Sequence, residues 1–254
     1  MTRERGSDQP SGLSPQRLRQ FYEVEAAQRN HWSAHPEEVF VRLDRLRYEA
    51  ILRRLTRRYR RAADLGCGSG MIAARLMENA ETVLALDLTH ARLRQVRENA
   101  GGACFVQGDL GRLPLKDNSL DLIVVSEVIE HLPDYKPALT EIRRALTPLG
   151  TCVISVPYRE DLEEHVCPHC LRAFPLHGHF HRFDERILAD ALDSVGLSST
   201  GFLTLNNAVA TRLGRLFKAG YSSLRALDWA CRRIAPHMNR HLILFAEKRV
   251  ESAR

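Results

Sequence analysis

The sequence predicts an α/β protein, a doubly wound and mostly parallel β-sheet with helices on both faces. Strand-like apolar runs alternate with helical patterns through residues 62–156, and this alternation is typical of a parallel sheet covered on both sides. A glycine-rich turn follows the first of these runs and leads directly into a helical pattern, which is the arrangement of a ligand-binding strand–turn–helix. The 254 residues are enough to bury a full core, and they contain no internal repeat.

The elements follow in order along the chain. We expect residues 1–16, which are polar and carry Gly and Pro, to be disordered, and residues 17–254 to form a single domain. Helical periodicity in residues 17–60 predicts at least two helices before the sheet. The expected strands lie near 62–65, 82–87, 103–107, 120–126, 150–156, 199–205 and 241–247. The other expected elements are a Cys- and His-containing insert at 158–183, a helix at 184–195 and a basic helical insert at 207–240.

The glycine-rich turn reads Ala-Asp-Leu-Gly-Cys-Gly-Ser-Gly over residues 63–70. Its three glycines let the backbone approach a ligand closely. Asp87 closes the next apolar run, 21 residues after Gly66, so its carboxylate should emerge at the carboxyl end of a neighbouring strand. An acidic group at that position accepts hydrogen bonds from the hydroxyls of a ribose. The loop and the acid together predict a cofactor that contains adenosine.

Two such cofactors compete, a dinucleotide and S-adenosylmethionine. A dinucleotide loop reads G-x-G-x-x-G, and Met71 occupies the place of its third glycine here. The chain continues with G-D-L at 108–110, L-D-L-I-V-V-S-E-V-I-E-H-L at 120–132 and L-T-P-L-G at 146–150. As a set, over about residues 60–160, these motifs resemble the class I S-adenosylmethionine-dependent methyltransferases, in particular the type 11 group.

This resemblance implies a seven-stranded sheet whose last two strands form an antiparallel hairpin at one edge. It also implies that the loop faces the methionine part of the cofactor, that Asp87 holds the ribose hydroxyls and that the segment at 109–110 flanks the adenine. The end of the fourth strand would lie near the transferred methyl group. The implied cofactor-binding residues are Asp64, Gly66, Cys67, Gly68, Gly70, Asp87, Leu88, Asp109, Leu110 and Ser126.

Glu127, Glu130 and His131 are the candidate catalytic residues, because methyl transfer needs positioning and removal of the nucleophile's proton. If a helical turn starts at the strand end, they share one face and could hold a divalent cation such as Mg²⁺. The E-x-x-E-H pattern resembles methyltransferases acting on ubiquinone precursors and on the 2′-hydroxyl of small RNAs. In the RNA group a later His completes the cluster; His181 matches it and His179 is the rival. A metal-free polar or general-base role stays open.

A second metal hypothesis concerns the insert at 158–183. Cys167 and Cys170 form a C-x-x-C pair, and histidines follow at 177, 179 and 181, which is the spacing of a structural Zn²⁺ site. The expected ligands are Cys167, Cys170, His179 and His181. An ordinary loop with a reduced C-x-x-C is the alternative. The two metal hypotheses compete for His179 and His181.

The formal net charge of +6 is concentrated in the insert at 207–240, which has seven basic residues and one acid. This pattern predicts a helical lid with a solvated basic face. The alternative is a surface helix that contacts anionic lipid or a phosphate-bearing substrate. The N-terminus lacks the apolar stretch of a signal peptide, and the cysteines suit a reduced compartment, so we expect a cytoplasmic protein.

The expected activity is O-methylation of a small molecule, a glycan or a lipid-linked precursor. An RNA 2′-O-methyltransferase is an alternative, although no recognisable RNA-binding module is present and nucleic acid is therefore not the expected partner. A non-catalytic binding module built on the cofactor fold is the other alternative. The intact glycines and Asp87 argue against it.

Overall fold

A computed structural model describes residues 15–28, 39–166, 171 and 173–249. Nine strands occur in this part of the chain. They are β1 (Tyr59–Leu65), β2 (Ala80–Asp87), β3 (Cys104–Gln107), β4 (Leu120–Ser126), β5 (Leu146–Pro157), β6 (Glu164–Val166), β7 (Ala173–Pro175), β8 (Leu197–Leu205) and β9 (His241–Lys248). Seven of them form one sheet in the order β3-β2-β1-β4-β5-β9-β8, and β6 pairs with β7.

The strands of the large sheet are mostly parallel. β1 pairs in parallel with β2 and β4, β2 with β3, and β4 with β5, whereas β9 is antiparallel to both β5 and β8. The predicted doubly wound, seven-stranded sheet with an antiparallel hairpin at one edge is therefore confirmed. The strand order reverses direction around β1 and β4, and in such sheets ligands bind in the crevice at the carboxyl ends of those strands.

Eight α-helices flank the strands in the described part of the chain. They are α1 (Pro15–Gln28), α2 (Val39–Leu52), α3 (Met71–Leu76), α4 (His90–Asn99), α5 (Lys136–Ala145), α6 (Glu185–Ser194), α7 (Ala208–Leu216) and α8 (Tyr221–Ile234). Three single-turn 3₁₀ helices lie at Ile129–His131, Leu176–Gly178 and Pro236–Met238. Within the described residues, no helix has the length and apolar character needed to cross a membrane.

Each face of the sheet carries its own core, because successive strand residues point to opposite sides. Val124 belongs to the core that includes side chains of α2, α3 and α4. Its neighbour Val125 belongs to the other core, which includes side chains of α5 and α6. The central strands read as continuous apolar runs because both of their faces are buried. This double cover holds the carboxyl ends of the strands, and the loops that follow them, in fixed positions.

Several predicted boundaries were wrong. The disordered segment was predicted to span residues 1–16, but Pro15 and Gln16 belong to α1. Residues 1–14 lie outside the described part of the chain. β5 begins at Leu146, whereas the strand was expected near 150–156. The pairing of β4 with β5 shifts register between Leu120 and Leu122. The β6–β7 hairpin lies within the insert at 158–183 and was not predicted.

Candidate active site

The glycine loop between β1 and α3 is shaped by close packing. Gly66, Gly68 and Gly70 all have positive φ angles, of 74°, 50° and 77°. A Cβ atom on Gly66 would lie 2.4 Å from Cγ2 of Val128, and one on Gly70 would lie 2.6 Å from Cγ1 of Val96. A Cβ on Gly68 would meet no atom within 4 Å. The outer glycines are therefore required by packing, whereas Gly68 faces open space that a ligand can enter.

This difference yields a matched pair of variants. We expect Gly66→Ala to lower the free energy of unfolding by about 2–4 kcal/mol, because it combines a left-handed backbone with overpacking against Val128. Gly68→Ala should lower the free energy of unfolding by only about 1 kcal/mol, because it introduces the left-handed backbone strain without a steric clash. Urea unfolding of both variants measures the difference. Equal losses would contradict this packing role for Gly66.

Two buried carboxyl groups support the loop. Asp64, at the end of β1, accepts a hydrogen bond at Oδ2 from the backbone N of Ala73 (2.9 Å). Asp87, at the end of β2, accepts one at Oδ2 from Gly68 N (3.1 Å) and two at Oδ1 from the N and Oγ1 of Thr89 (3.0 and 2.9 Å). Burial raises the pKa of Asp64 to about 7, with Asp87 adding to the rise, and burial also raises the pKa of Asp87. Asp87 is thus fixed beside the loop, where it can receive ribose hydroxyls.

The other predicted cofactor residues lie along the same edge of the sheet. Leu88 follows β2 directly, and its carbonyl accepts a hydrogen bond from Gln107 Nε2 (3.1 Å). Asp109 follows β3 and accepts a hydrogen bond at Oδ1 from Gly111 N (2.8 Å). Three more of the predicted cofactor-binding residues lie here. The Cys67 thiol is buried, and burial raises its pKa. Leu110 is also buried, and Ser126 is the last residue of β4.

Glu127 departs from its predicted position. Its φ of 56° is left-handed, and the following 3₁₀ turn begins only at Ile129, so Glu127 does not share a helical face with Glu130 and His131. The prediction that these three residues share one face is wrong. Right-handed helical spacing does not continue through a residue in the left-handed region.

The Glu127 carboxylate is instead tied to three residues on other elements. Ser155 Oγ donates to Oε1 at 2.6 Å, His241 Nε2 lies 3.4 Å from Oε2, and Arg47 Nη1 lies 3.7 Å from Oε2. Burial alone would raise the pKa of Glu127, but Arg47 and His241 together hold it well below its usual range. Glu127 is therefore an ionised structural anchor at the end of β4.

Glu130 is the most unusual side chain in this region. It is completely buried, and neither of its carboxylate oxygens has a hydrogen-bond partner in the described part of the chain. Burial raises the pKa of Glu130 well above its ordinary value, and the neighbouring charge of Glu127 adds to the rise. Buried polar atoms are nearly always satisfied, so an orphaned carboxyl is typical of a site completed by a ligand.

His131 and His179 stand next to this carboxyl. One potential ligand atom from each of Glu130, His131 and His179 lies within 4.8 Å of the others. Burial lowers the pKa of His131 to about 4, with His179 adding to the effect, so the imidazole is neutral. Nδ1 of His179 lies 2.5 Å from Oε2 of Glu160, a carboxylate contact typical of an imidazole that binds a metal through its other nitrogen.

His181 lies outside this cluster. Its Nε2 donates to the carbonyl oxygen of Leu132 (2.8 Å) and lies 3.2 Å from that of Pro133. The prediction that His181 completes the Glu130–His131 cluster is wrong, and the rival His179 takes that place. Of the proposed zinc ligands, Cys167 and Cys170 lie outside the described residues, so their part of the zinc site stays a prediction.

Comparison with known proteins identifies the domain. Residues 63–154, from the end of β1 to the middle of β5, match the family model of the methyltransferase domain. Residues 63–154 therefore form a methyltransferase domain, and over this part the chain is similar to S-adenosylmethionine-dependent methyltransferases. The resemblance inferred from the motifs is confirmed, and so is the predicted cofactor of this family.

Individual relatives match part of the chain. A probable S-adenosylmethionine-dependent methyltransferase of Mycolicibacterium smegmatis is 36% identical over 115 residues, 44% of this chain and 45% of the relative. A malonyl-[acyl-carrier protein] O-methyltransferase of Enterobacter lignolyticus is 30% identical over 165 residues, 65% of this chain and 62% of the relative. The chain therefore spans less than two thirds of these relatives.

One solved structure extends the likeness over most of the fold. The N-methyltransferase NodS of Bradyrhizobium japonicum, in complex with S-adenosyl-L-homocysteine, has a TM-score of 0.60 at 16% identity. The match covers 92% of this chain and 99% of NodS. At this identity the likeness shows the shared fold alone.

Four residues of the candidate site were not predicted from the sequence. Arg47 lies on the core-facing side of α2, and a charged residue on an otherwise apolar helix face was an available signal. Ser155 and His241 hold Glu127 from β5 and β9, and no local pattern marked them. Tyr22 on α1 packs edge-on against His131, with ring centroids 5.8 Å apart, and its buried hydroxyl has no partner among the described residues.

Proposed function

We propose that this protein transfers the methyl group of S-adenosylmethionine to a hydroxyl of a small molecule, a glycan or a lipid-linked precursor. The observation that carries the proposal is the unpartnered Glu130 carboxyl beside two imidazoles. This cluster lies next to the cofactor loop, because Val128, two residues before Glu130, packs against Gly66. A hydroxyl is a weak nucleophile until its proton is removed, so an acceptor of this kind needs a basic group near the methyl donor.

In this proposal each residue of the site has a different role. Asp87 binds the ribose, and the glycine loop lets the methionine part approach the end of β1. Glu127, tied to Arg47 and His241, is a positioning residue that fixes the turn carrying Glu130. The raised pKa of Glu130 makes its carboxylate a stronger base for the acceptor's proton than an exposed one. The unpartnered Tyr22 hydroxyl is available to orient the acceptor.

The cluster also fits a divalent cation. Glu130, His131 and His179 would hold it, since one carboxylate and two imidazoles form a common donor set for such ions. When bound, a divalent cation supplies the positive charge that lowers the pKa of a nearby hydroxyl. The orphaned carboxylate oxygens and the buried neutral His131 support this fit.

A turnover assay tests the proposal. Release of S-adenosylhomocysteine should appear with acceptors that carry hydroxyls and not with matched amines, each measured with and without Mg²⁺. Activity confined to amines would contradict hydroxyl methylation. Cofactor binding without turnover on any acceptor would favour a non-catalytic module. Turnover on short RNA with a steep salt dependence would favour the RNA alternative.

A further inference from the structure

We infer that a groove beside the active site binds the phosphate group of an amphiphilic acceptor. The groove lies between α7 and the turn at Pro236–Met238 and has a volume of about 640 Å³. This inference rests on the proposed function and narrows its substrate class to a phosphate bearing an apolar chain.

The charge of the groove favours an anion. Three of the eight lining residues are arginines (Arg212, Arg215 and Arg240), and none of the eight is acidic. The acid of the neighbouring α8, Asp228, is buried and accepts a hydrogen bond from Asn207 N (2.6 Å). Guanidinium groups match the geometry of phosphate oxygens and bind them with two parallel hydrogen bonds. The guanidinium groups of Arg212 and Arg240 in one groove therefore fit a phosphate.

The rest of the lining favours a hydrocarbon part in the same ligand. Ala208, Val209, Leu213 and Met238 place apolar surface beside the three arginines. A small hydrophilic phosphate would leave this surface in water, whereas an alkyl or prenyl chain would cover it. The groove thus combines a polar anchor with an apolar floor, as expected for an amphiphilic phosphate.

The groove is directly connected to the active-site edge of the sheet. Arg240 bridges β8 and the end of β5, because its N donates to Leu205 O (3.1 Å) and its carbonyl accepts from Tyr158 N (2.7 Å). The next residue, His241, contacts the Glu127 carboxylate. An acceptor anchored by its phosphate in the groove therefore lies at the same sheet edge as Glu130 and the cofactor loop.

The outer surface of the same helices suggests an alternative role, contact with a membrane. Leu216, Phe217, Trp229 and Ile234 are exposed large apolar side chains among basic residues, which suits peripheral contact with an anionic membrane, as the sequence suggested. These four residues do not line the groove. Membrane docking and acceptor binding therefore depend on different side chains, and one experiment separates them.

The experiment compares two double variants of equal charge change by calorimetry. Arg212→Gln/Arg240→Gln alters the groove, and Arg225→Gln/Arg233→Gln removes two charges from α8 outside it. We expect wild-type protein to bind octyl phosphate more tightly than inorganic phosphate or octyl glucoside. The groove variant should bind octyl phosphate about tenfold more weakly or worse, and the control variant within about twofold of wild type. Unchanged S-adenosylhomocysteine binding by both variants shows that they are folded.

Each other outcome overturns the inference. Equal losses in the two variants would indicate a general charge effect. No preference of the wild type for octyl phosphate would show that the groove does not select a phosphate with an alkyl chain. Binding to phosphatidylglycerol vesicles without binding to octyl phosphate would indicate membrane docking.

The groove and the proposed function can fail separately, because octyl phosphate binds without turnover. Asp87→Ala is expected to lose the cofactor and therefore activity, and it should still bind octyl phosphate if the groove is intact.

Discussion

Asp87→Ala is expected to weaken S-adenosylmethionine binding by about 100-fold or more. The carboxylate of Asp87 is held at the end of β2 by Gly68 and Thr89, and the ribose hydroxyls would donate to it. Hydrogen bonds to a charged group contribute about 1.5–3 kcal/mol each, so the loss of two accounts for an effect of this size. Calorimetric titration with S-adenosylmethionine measures it.

Two controls make the result specific. Glu81→Ala removes an exposed acid from the same strand but at its opposite end, and its affinity should match that of wild type. Asp87→Asn preserves the shape of the side chain but loses the charge, so its affinity should fall between those of Asp87→Ala and wild type. Unchanged affinity in Asp87→Ala, or a preference of the wild-type protein for NAD, would contradict the assigned ribose contact.

Glu130→Gln should have the second large effect. The substitution keeps the buried volume and removes the carboxyl group that we propose as the base or, when a cation is bound, as its ligand. We expect turnover to fall by about 100-fold or more, which is the usual range for loss of a general base, and stimulation by Mg²⁺ or Mn²⁺ to disappear. S-adenosylhomocysteine binding should persist. Steady-state kinetics with and without metal, and Mn²⁺ titration followed by electron paramagnetic resonance, measure both effects.

His179 and His181 provide the matched comparison for this cluster. His179→Ala should weaken Mn²⁺ binding as Glu130→Gln does, because His179 contributes a ligand atom beside Glu130. His181→Ala should bind Mn²⁺ like wild type, because the Nε2 of His181 donates to backbone carbonyls. Mn²⁺ affinity lost only in His181→Ala would contradict the cluster.

The parts of this structure that were predictable from the sequence depend on neighbouring residues. Alternating patterns predicted the sheet, and the loop at 63–70 with Asp87 predicted the cofactor edge, because a strand end and the turn that follows it are local features. Two helix starts were also local. Asp184 caps α6 by accepting from Ile187 N (2.8 Å), and Asn207 caps α7 by accepting from Val209 N (3.0 Å).

The wrong predictions concern residues whose positions depend on tertiary contacts. Spacing alone placed Glu127 with Glu130, but Arg47, Ser155 and His241, on three other elements, hold Glu127 in a left-handed conformation. The choice between the two histidines depended on how the insert crosses the sheet edge. Phe180 N donates to Glu130 O (2.8 Å). This contact places His179 on one side of Phe180 and His181 on the other, so the two histidines contact different residues.

The most direct test is whether the cofactor methyl lies beside the Glu130–His131–His179 cluster. Mn²⁺ bound to the protein together with S-adenosylmethionine labelled with ¹³C at the methyl group allows the paramagnetic relaxation of that carbon to be measured. We predict strong relaxation in wild type that is lost in Glu130→Gln while the cofactor stays bound. Unaffected relaxation in wild type, with both Mn²⁺ and cofactor bound, would contradict a single active site formed by the loop and the cluster.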